Sequence, residues 1–251
     1  MTTILADVGN TRIKLALWGG DRTALEPIAL DVDTTDSWET TLAQVGWLKA
    51  AGQRWHISSV RPEAADRLER LIERLGGGEI VWYRSAADVP VVQKLGQPER
   101  VGADRALAVR AAVRLVGRGP LAVVMAGTAV TVEKVDEAGC WLGGAIAPGI
   151  RPLAEALHRL TAQLPLIDPE REAPAWSNQT EGALAAGLRW GVVGMVRELL
   201  ERQGLDRRMP VVWSGGDAEW LAREISWRGS RVVRDLVLVG LGQLADERGQ
   251  A

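Results

Sequence analysis

The stretch that decides the fold is DVGNT, residues 7–11, together with the segments that flank it. Residues 3–8 form an apolar run typical of a buried strand. After the turn, Ile13, Leu15 and Leu17 alternate with their neighbours, as in a second strand. An acidic residue, a glycine and two side chains with hydrogen-bonding groups therefore stand at a tight turn between two predicted strands.

A similar pattern returns in the second half of the chain. Residues 121–136, LAVVMAGTAVTVEKVD, contain an apolar run, a turn at Gly127 and alternating valines. Gly9 and Gly127 are 118 residues apart, which is close to half of the 251 residues. We predict two similar α/β halves, residues 1–116 and 117–251. The alternative is one irregular α/β domain in which two glycine turns resemble each other by chance.

Between these turns, hydrophobic periodicity and glycine stops predict the remaining elements. Further strands are predicted at residues 54–60, 79–83 and 210–214. Helices are predicted at residues 63–75, 104–116, 151–160, 180–203 and 235–246.

The composition excludes several classes of protein. Hydrophobic residues make up 47% of the chain and the net charge is −2, so neither nucleic acid nor an anionic membrane is expected as the main partner. Cys140 is the single cysteine, which allows no intrachain disulfide and suits the reducing cytoplasm. We find no signal peptide and no apolar stretch of membrane-spanning length. The chain is therefore expected to be cytoplasmic.

The DVGNT turn has the residue types of a phosphate-binding loop. A glycine brings backbone N–H groups close to a phosphate, and Asn10 and Thr11 add side-chain donors. Asp7, at the strand end, is suited to hold a hydrated Mg²⁺ beside that phosphate. The alternative is a plain β-hairpin with ordinary Asn-Thr turn chemistry.

A second candidate is GADR, residues 102–105, where a loop enters a predicted helix. The carboxylate of Asp104 can accept a proton from a hydroxyl group. The guanidinium of Arg105 can bind a substrate carboxylate through two hydrogen bonds. The alternative is that Asp104 caps the helix while Arg105 faces solvent.

Two glycine-rich segments are candidate ligand contacts. GGAIAPGI, residues 143–150, suits a loop that packs against a ligand or against another part of the backbone. WSGGDAEWL, residues 213–221, places Ser-Gly-Gly between an apolar strand and a helix, where a turn can accept a base or a ribose. Ordinary loop chemistry is the alternative for both.

The remaining chemistry-bearing residues do not form a familiar motif. His56 and His158 are the two histidines, and with Cys140 they have no metal-ligand spacing. Core or surface positions are expected for them. The sequence also contains no G-x-x-x-x-G-K-[ST] loop and no G-x-G-x-x-G fingerprint.

Taken in order, these segments resemble the type III pantothenate kinases, a family of the acetate/sugar kinase, Hsp70 and actin superfamily. The resemblance rests on DVGNTRIK (7–14), ISSV (57–60), PERVGADR (98–105), AGTAVT (126–131), LGGAIAPGI (142–150), TAQLP (161–165), TEGALAAG (180–187), SGGDAEWL (214–221) and DLVLVGL (235–241). It implies two actin-like (ribonuclease H-like) halves with a nucleotide cleft between them. DVGNT and AGTAVT would then be the two phosphate loops, one from each half.

The resemblance also implies an activity. A protein of this family would transfer a phosphoryl group from ATP to the hydroxyl of pantothenate, the first step of coenzyme A synthesis. It would use Mg²⁺ and would be activated by K⁺ or ammonium. It would be a homodimer whose interface helps to shape the substrate site.

Site residues carried over from the family fall into two groups. On the pantothenate side, Asp104 would be the general base and Arg105 would bind the substrate carboxylate. Gly102 and Ala103 would line that pocket, and Thr180 would reach it from the partner subunit. On the nucleotide side, the expected residues are Asp7 for Mg²⁺ and the γ-phosphate, with Gly9, Asn10, Thr11 and Lys14 nearby, Gly127, Thr128 and Thr131 for the β- and γ-phosphates, and Gly215 and Gly216 for the adenosine.

Two positions depart from the family pattern. Met125 stands where the family usually has Asp, and methionine cannot organise a metal-bound water. Glu133 is a possible substitute for that carboxylate. Leu95 stands where the family usually has Tyr, at the expected pantothenate wall.

An active pantothenate kinase remains the prediction, since Asp7, Asp104 and Arg105 are retained. The departures leave open a weakly active or inactive member that acts as a nucleotide-binding or regulatory protein, and, more distantly, a kinase acting on a different small hydroxy-acid.

Overall fold

The computed structural model describes residues 2–19, 25–34, 36–47, 52–117, 119–169 and 172–249. The chain divides into two compact units, which are described separately. The first unit contains Met1–Leu115 and Asp235–Ala251, and the second contains Val116–Arg234.

The first unit is built on a mixed five-stranded sheet in the order β3-β2-β1-β4-β5. The strands are β1 (Thr3–Val8), β2 (Arg12–Trp18), β3 (Ile28–Asp31), β4 (Arg54–Ser59) and β5 (Glu79–Tyr83). Strand β1 runs antiparallel to β2 and parallel to β4. The helices are α1 (Asp36–Gln44), α2 (Pro62–Arg74), α3 (Ala103–Val116) and α7 (Leu236–Gly249). A buried core joins β1, β2 and β4 to α1 and α2, and α7 packs on the same three strands.

The second unit has a five-stranded sheet in the order β10-β9-β6-β7-β8. Its strands are β6 (Leu121–Ala126), β7 (Ala129–Val135), β8 (Trp141–Pro148), β9 (Val211–Ser214) and β10 (Ser230–Val232). Its helices are α4 (Ile150–Leu160), α5 (Thr180–Arg202) and α6 (Ala218–Ile225), which share one apolar core with β6, β7 and β9.

The two sheets have the same topology. In each unit the first strand lies at the centre, its antiparallel hairpin partner lies on one side, and the parallel fourth strand lies on the other. Gly9 and Gly127 each follow the last residue of the central strand. The predicted fold class, α/β with two similar actin-like halves, is confirmed. The predicted boundary at residues 116 and 117 stays a prediction; in the structure the chain returns to the first unit at Asp235.

The five predicted helices correspond to α2, α3, α4, α5 and α7. Helix α2 follows its sequence signals closely: Pro62 stands in the first turn, and Gly76 and Gly77 beyond its end have positive φ angles of 111° and 72°. None of the helices in the described ranges is both long and apolar enough to cross a membrane.

The prediction of a loop over residues 143–150 is wrong for most of that stretch, because β8 extends through Pro148 and α4 begins at Ile150. The glycines serve close packing inside a sheet. A Cβ on Gly144 would lie 2.1 Å from the carbonyl oxygen of Val132 on β7. Gly143, with a φ of 99°, stands at the bulge between β7 and β8. The sequence had anticipated contact with another part of the backbone here, but not the strand.

Candidate active site

The turn between β1 and β2 closes tightly around Gly9. Its N–H donates to the carbonyl oxygen of Arg12 over 3.0 Å, and a Cβ at this position would lie only 3.1 Å from the same oxygen. Asn10 and Thr11 are exposed at the surface of the turn, whereas the N–H of Gly9 is bonded within it.

A charged cluster lies next to this turn in the first unit. Asp7 on β1 is paired directly with Lys14 on β2, and the Lys14 Nζ lies 2.8 Å from Oδ1 of Asp235. The pKa of Asp7 is raised to about 7, chiefly by burial and also by the carboxylates of Asp104 and Asp235, while Lys14 opposes the rise. Three carboxylates and one ammonium group thus interact around the end of β1.

Gly102 leaves room for the side chain of Asp104. A Cβ on Gly102 would lie 2.5 Å from Oδ1 of Asp104 and 3.0 Å from Cγ1 of Val60. The same Oδ1 accepts a hydrogen bond of 2.8 Å from the backbone N–H of Arg105. Asp104 also stands in the first turn of α3, where the helix dipole favours a negative charge. The carboxylate is therefore held in one orientation by the backbone around it.

The loop before α3 is fixed by a short bridge. Gly102 pairs with Ser85 in an isolated antiparallel bridge, and Asp88 accepts hydrogen bonds of 2.8 Å from the backbone N–H groups of Arg84 and Ser85. Ala103 is fully buried, which fixes the start of α3 against the rest of the unit. Arg105 and Leu95 are half-buried, as expected for side chains at the wall of a site.

The second unit holds the turn at Gly127 through two other glycines. The N–H of Gly127 donates to Ala129 over 3.1 Å, and the N–H of Gly149 donates to Thr128 over 3.0 Å. A Cβ on Gly149 would lie 1.9 Å from the carbonyl oxygen of Gly127. Gly215, with a φ of 99°, lies equally close to Ala126, since a Cβ there would be 2.1 Å from its carbonyl oxygen. The turns at Gly127 and Gly215 are thus brought together by direct backbone packing.

Met125 lies on the same sheet face as two polar side chains. It is half-buried and is paired with Thr131 on β7 and Ser214 on β9. Thr131 is 6% exposed, and within the described residues its Oγ1 has no hydrogen-bond partner. Ser214 donates to the carbonyl oxygen of Arg234 over 3.0 Å. A residue with a hydrogen-bonding side chain at position 125 would face Thr131 directly.

Glu133 lies further from the Gly127 turn than Met125 does. It is fully buried, and it pairs with Val123 rather than with Met125. Its Oε2 accepts a hydrogen bond of 3.0 Å from Nε1 of Trp141. The role of Glu133 as a substitute for the usual Asp stays a prediction, and Trp141 already holds its carboxylate.

Within each unit, the structure brings together most of the residues that the sequence singled out. Asp7, Lys14 and Asp104 form one interacting group in the first unit. In the second unit the backbone of Gly215 adjoins the strand that leads to Gly127. Gly216 and Thr180 are both exposed, the latter as the first residue of α5.

Asp235 is a site residue that the sequence analysis did not assign. It immediately precedes α7 and pairs with Lys14, which is far from it along the chain. The available signal was an acidic residue directly before the apolar run of DLVLVGL, which is a helix-start pattern. That pattern predicts a helix start but does not identify the lysine that the carboxylate meets.

The carboxylates around Asp7 fit a divalent cation. Burial and the neighbouring carboxylates raise the pKa of Asp7 although Lys14 opposes them, so an added positive charge would be stabilised there. Among the described residues, no three His, Cys, Asp or Glu side chains are grouped as direct ligands of one ion. This suits Mg²⁺, which keeps several waters and is held by one or two carboxylates together with substrate phosphates.

The repeated sheet topology and the paired glycine turns define a protein of the actin-like fold class. Two solved structures align with nearly the whole chain. One is described as a transcriptional activator of the Baf family from Campylobacter jejuni, with a TM-score of 0.64, 18% identity and coverage of 99% of this chain and 100% of that one. The other is an activator of 2-hydroxyisocaproyl-CoA dehydratase from Clostridium difficile, with a TM-score of 0.53, 15% identity and coverage of 100% and 98%. At these identities the likeness shows the fold alone.

Sequence comparison identifies the family within this class. The family model for type III pantothenate kinase matches residues 3–202. Type III pantothenate kinases of Acidiphilium cryptum and Gluconobacter oxydans are 35% and 34% identical to the chain, which aligns over 96% and 97% of its length and covers 93% and 92% of theirs. The chain belongs to the type III pantothenate kinase family.

Proposed function

We propose that this protein catalyses the ATP-dependent phosphorylation of pantothenate to 4'-phosphopantothenate, the first step of coenzyme A biosynthesis. Family membership supports the substrates. The observation that carries the chemistry is the Asp104 carboxylate, held in the space left by Gly102 and interacting electrostatically with Asp7 beside the glycine turn. A proton acceptor and a phosphate-binding turn within one unit are what transfer to a hydroxyl group requires.

On the acceptor side, Asp104 takes the proton of the pantothenate hydroxyl. The oxygen of that hydroxyl attacks the γ-phosphorus of ATP, and ADP leaves. Arg105, in the same helical turn, binds the carboxylate of pantothenate through its guanidinium. Gly102, Ala103 and Leu95 line the pocket. The fixed orientation of Asp104 supports this assignment, because a base held in place requires little reorganisation in the transition state.

On the nucleotide side, we assign the phosphates to the two glycine turns. The residues assigned to the first turn are Asp7, Gly9, Asn10, Thr11 and Lys14. Those assigned to the second turn are Gly127, Thr128 and Thr131, and the adenosine is bordered by Gly215 and Gly216. Lys14 is held by Asp235, which fixes the direction of its ammonium group. Asp7 would hold Mg²⁺ through water, and the ion would neutralise charge on the phosphates. Activation by K⁺ or ammonium is proposed from the family alone.

A homodimer is part of this proposal, with Thr180 of one copy contacting pantothenate bound to the other. The stretch before α5 displays large apolar side chains to solvent, with Leu160 79%, Leu166 56% and Trp176 78% exposed. Exposed apolar groups of this size are typical of a surface that a partner covers. Light scattering of the purified protein tests the dimer. We also propose that the enzyme works in the cytoplasm.

Met125 supports a second candidate function, that of a weakly active or inactive member with a nucleotide-binding or regulatory role. It places a thioether beside Thr131 where the family usually has a carboxylate, and Glu133 is already bonded to Trp141. Leu95 stands where the family usually has Tyr, so the proposed pantothenate wall lacks a hydroxyl. This difference supports the alternative of a kinase that acts on another small hydroxy-acid.

The test is an ADP-release assay on the purified protein with ATP, Mg²⁺ and K⁺, with and without pantothenate. We expect turnover that depends on pantothenate. A folded protein that binds ADP but shows no turnover would favour the regulatory alternative. Turnover with other small hydroxy-acids but not with pantothenate would show that the protein is a kinase with a different acceptor.

A further inference from the structure

Arg61 connects three loops at one end of the first unit's sheet. It follows β4 and directly precedes α2. Its Nη1 donates to the carbonyl oxygen of Asn10 over 2.7 Å, and its Nη2 lies 2.8 Å from Oδ1 of Asp33. One guanidinium therefore joins the β1–β2 turn, the residues after β3 and the start of α2.

The contact with Asn10 sets the direction of a peptide unit in the first glycine turn. The carbonyl of Asn10 and the N–H of Thr11 belong to the same planar trans peptide, so they point in opposite directions. When Arg61 holds the carbonyl on its own side, the N–H of Thr11 faces the other side. The carbonyl of Thr11 is in turn held by the N–H of Val32 over 3.2 Å. Both peptide units at the tip are thus fixed by neighbouring loops.

Arg61 is itself well anchored. Its backbone N–H donates to Oγ of Ser59 over 3.2 Å, and Pro62 restricts its backbone to the extended region that it adopts, with a φ of −130°. Asp33 is oriented by the bond from its N–H to Oδ1 of Asp31, 2.8 Å long. The side chain of Arg61 is 29% exposed, so a charge-assisted hydrogen bond to Asn10 is partly shielded from water.

We propose that Arg61 is a positioning residue that holds the first glycine turn in its phosphate-binding conformation and thereby sets the affinity for the nucleotide. This inference rests on the proposed assignment of that turn to the nucleotide phosphates. Arg61 acts through the backbone of Asn10 and need not touch the ligand. Asp33 supports it by holding the second guanidinium nitrogen.

The experiment compares Arg61→Ala with Arg74→Ala by calorimetric titration of ADP with Mg²⁺ and by steady-state kinetics. Arg74 is the last residue of α2, the helix that Arg61 precedes, and it makes a similar ion pair with Glu39 over 3.2 Å. It contacts no residue of the turn in the hydrogen bonds described. For Arg61→Ala we expect Kd for ADP and KM for ATP to rise about tenfold, the size expected for loss of one charge-assisted hydrogen bond. KM for pantothenate should stay unchanged, and kcat should change much less than KM.

Two further variants separate positioning from folding. Asp33→Asn alters a side chain that is 74% exposed, and it should weaken ADP binding in the same direction by about threefold, since the bond to Arg61 loses its negative charge while Arg61 itself remains. Arg61→Lys should restore part of the affinity, because an ammonium group can still donate to Asn10. Unchanged ADP affinity in folded Arg61→Ala, or an equal loss in Arg74→Ala, would overturn the inference.

The titration also distinguishes this inference from the proposed kinase activity. Wild-type protein that binds ADP but does not phosphorylate pantothenate would contradict the proposed activity, while weaker ADP binding by Arg61→Ala would still support the role of Arg61. Wild-type protein that does not bind ADP at all would overturn both.

Discussion

At the scale of single residues, Asp104 is the proposed general base. Its surroundings permit a substitution that removes the base without changing the local geometry. In Asp104→Asn the side-chain oxygen can still accept the hydrogen bond from the N–H of Arg105, so the geometry is kept while the proton acceptor is lost. We expect phosphoryl transfer to fall by about 100-fold or more, with ADP binding largely intact. The ADP-release assay and a binding titration measure the two effects.

The control for this substitution is Asp66→Asn, at an exposed position on α2. It removes a carboxylate of the same size without touching the cluster around Asp7, and its activity should match that of the wild type. Full activity in Asp104→Asn would exclude Asp104 as the base.

Met125 gives the second prediction at this scale. Met125→Asp places a carboxylate opposite Thr131, whose buried hydroxyl lacks a partner in the described part of the chain. Since directly paired side chains on adjacent strands are about 5 Å apart at Cβ, the new carboxylate can accept that hydrogen bond. We expect kcat to rise by about tenfold, because a preorganised charge is added beside the second glycine turn.

Met125→Asn is the matched comparison, since it supplies the hydrogen-bond acceptor without the charge. A gain restricted to the aspartate variant would identify charge as the missing element. Equal kcat in the wild type and both variants would mean that this protein does not need a carboxylate at the position.

At the scale of elements, α3 and α7 determine where two of the site carboxylates lie. Asp104 is in the first turn of α3 and Asp235 immediately precedes α7. The two helices meet at Gly240, where a Cβ would lie 2.5 Å from the carbonyl oxygen of Leu107. One turn further along α3, Arg110 makes two bonds of 2.6 and 2.7 Å to the carboxylate of Glu247 on α7. The two helices are therefore joined at two positions along their length.

Gly240→Ala should force α7 away from α3. Because the clash is with backbone, which cannot turn aside, we expect a loss of about 1–3 kcal/mol in the free energy of unfolding. Gly194→Ala is the control, since this exposed glycine of α5 has nothing within 4 Å of an added Cβ. That variant should be stabilised by about 1 kcal/mol through helix propensity. Chemical denaturation measures both, and a stable Gly240→Ala would contradict the close approach.

Elements with a regular apolar pattern could be predicted from the sequence. The central strands and their hairpin partners, and helices such as α2, show their periodicity locally. Strand β10, Ser230–Val232, is short and exposed along its length, so it carries no hydrophobic alternation to find. Strand β8 could not be predicted from the sequence, because its glycines are typical of loops. Helix α1 was likewise not predicted.

The residues of the candidate site also fall into two groups, those marked by local sequence patterns and those that depend on distant partners. Asp7, Gly9 and Asp104 stand at recognisable junctions of strand, turn and helix, so local sequence patterns are enough to single them out as candidates. Asp235 and Arg61 act through partners that are distant along the chain, Lys14 and Asn10 respectively. Such pairs depend on how the strands are ordered in the sheet, which local patterns do not specify.

At the scale of the whole molecule, a buried histidine couples stability to pH. His56 on β4 is fully buried, and its Nδ1 is 3.2 Å from the hydroxyl of Tyr83. Its pKa is lowered from 6.5 to about 4, chiefly by burial and also by the charges of Arg248 and Arg54, while Glu79 opposes the change. The folded protein therefore keeps this imidazole neutral at pH values where the unfolded chain protonates it.

The contribution of His56 to stability should consequently fall as the pH falls from 6.5 towards 4, because the unfolded state binds the proton of this imidazole first. This contribution is about 3 kcal/mol at most. His56→Gln removes it, so the stability difference between wild type and variant should shrink as pH decreases. His158→Gln, at an exposed position, should leave the wild-type pH profile unchanged. Parallel profiles for wild type and His56→Gln would contradict the prediction.

The return of the chain to the first unit at Asp235 has a consequence for biosynthesis. The second unit, Val116–Arg234, is one continuous stretch of the chain. All of its residues have therefore been translated before Asp235 is added. The first unit begins to emerge earlier, yet Lys14 and Arg110 must wait for Asp235 and Glu247, which are translated after the whole of the second unit. Until α7 has been translated, the sheet of the first unit therefore lacks this helix, which completes the first unit only after the second unit has been made.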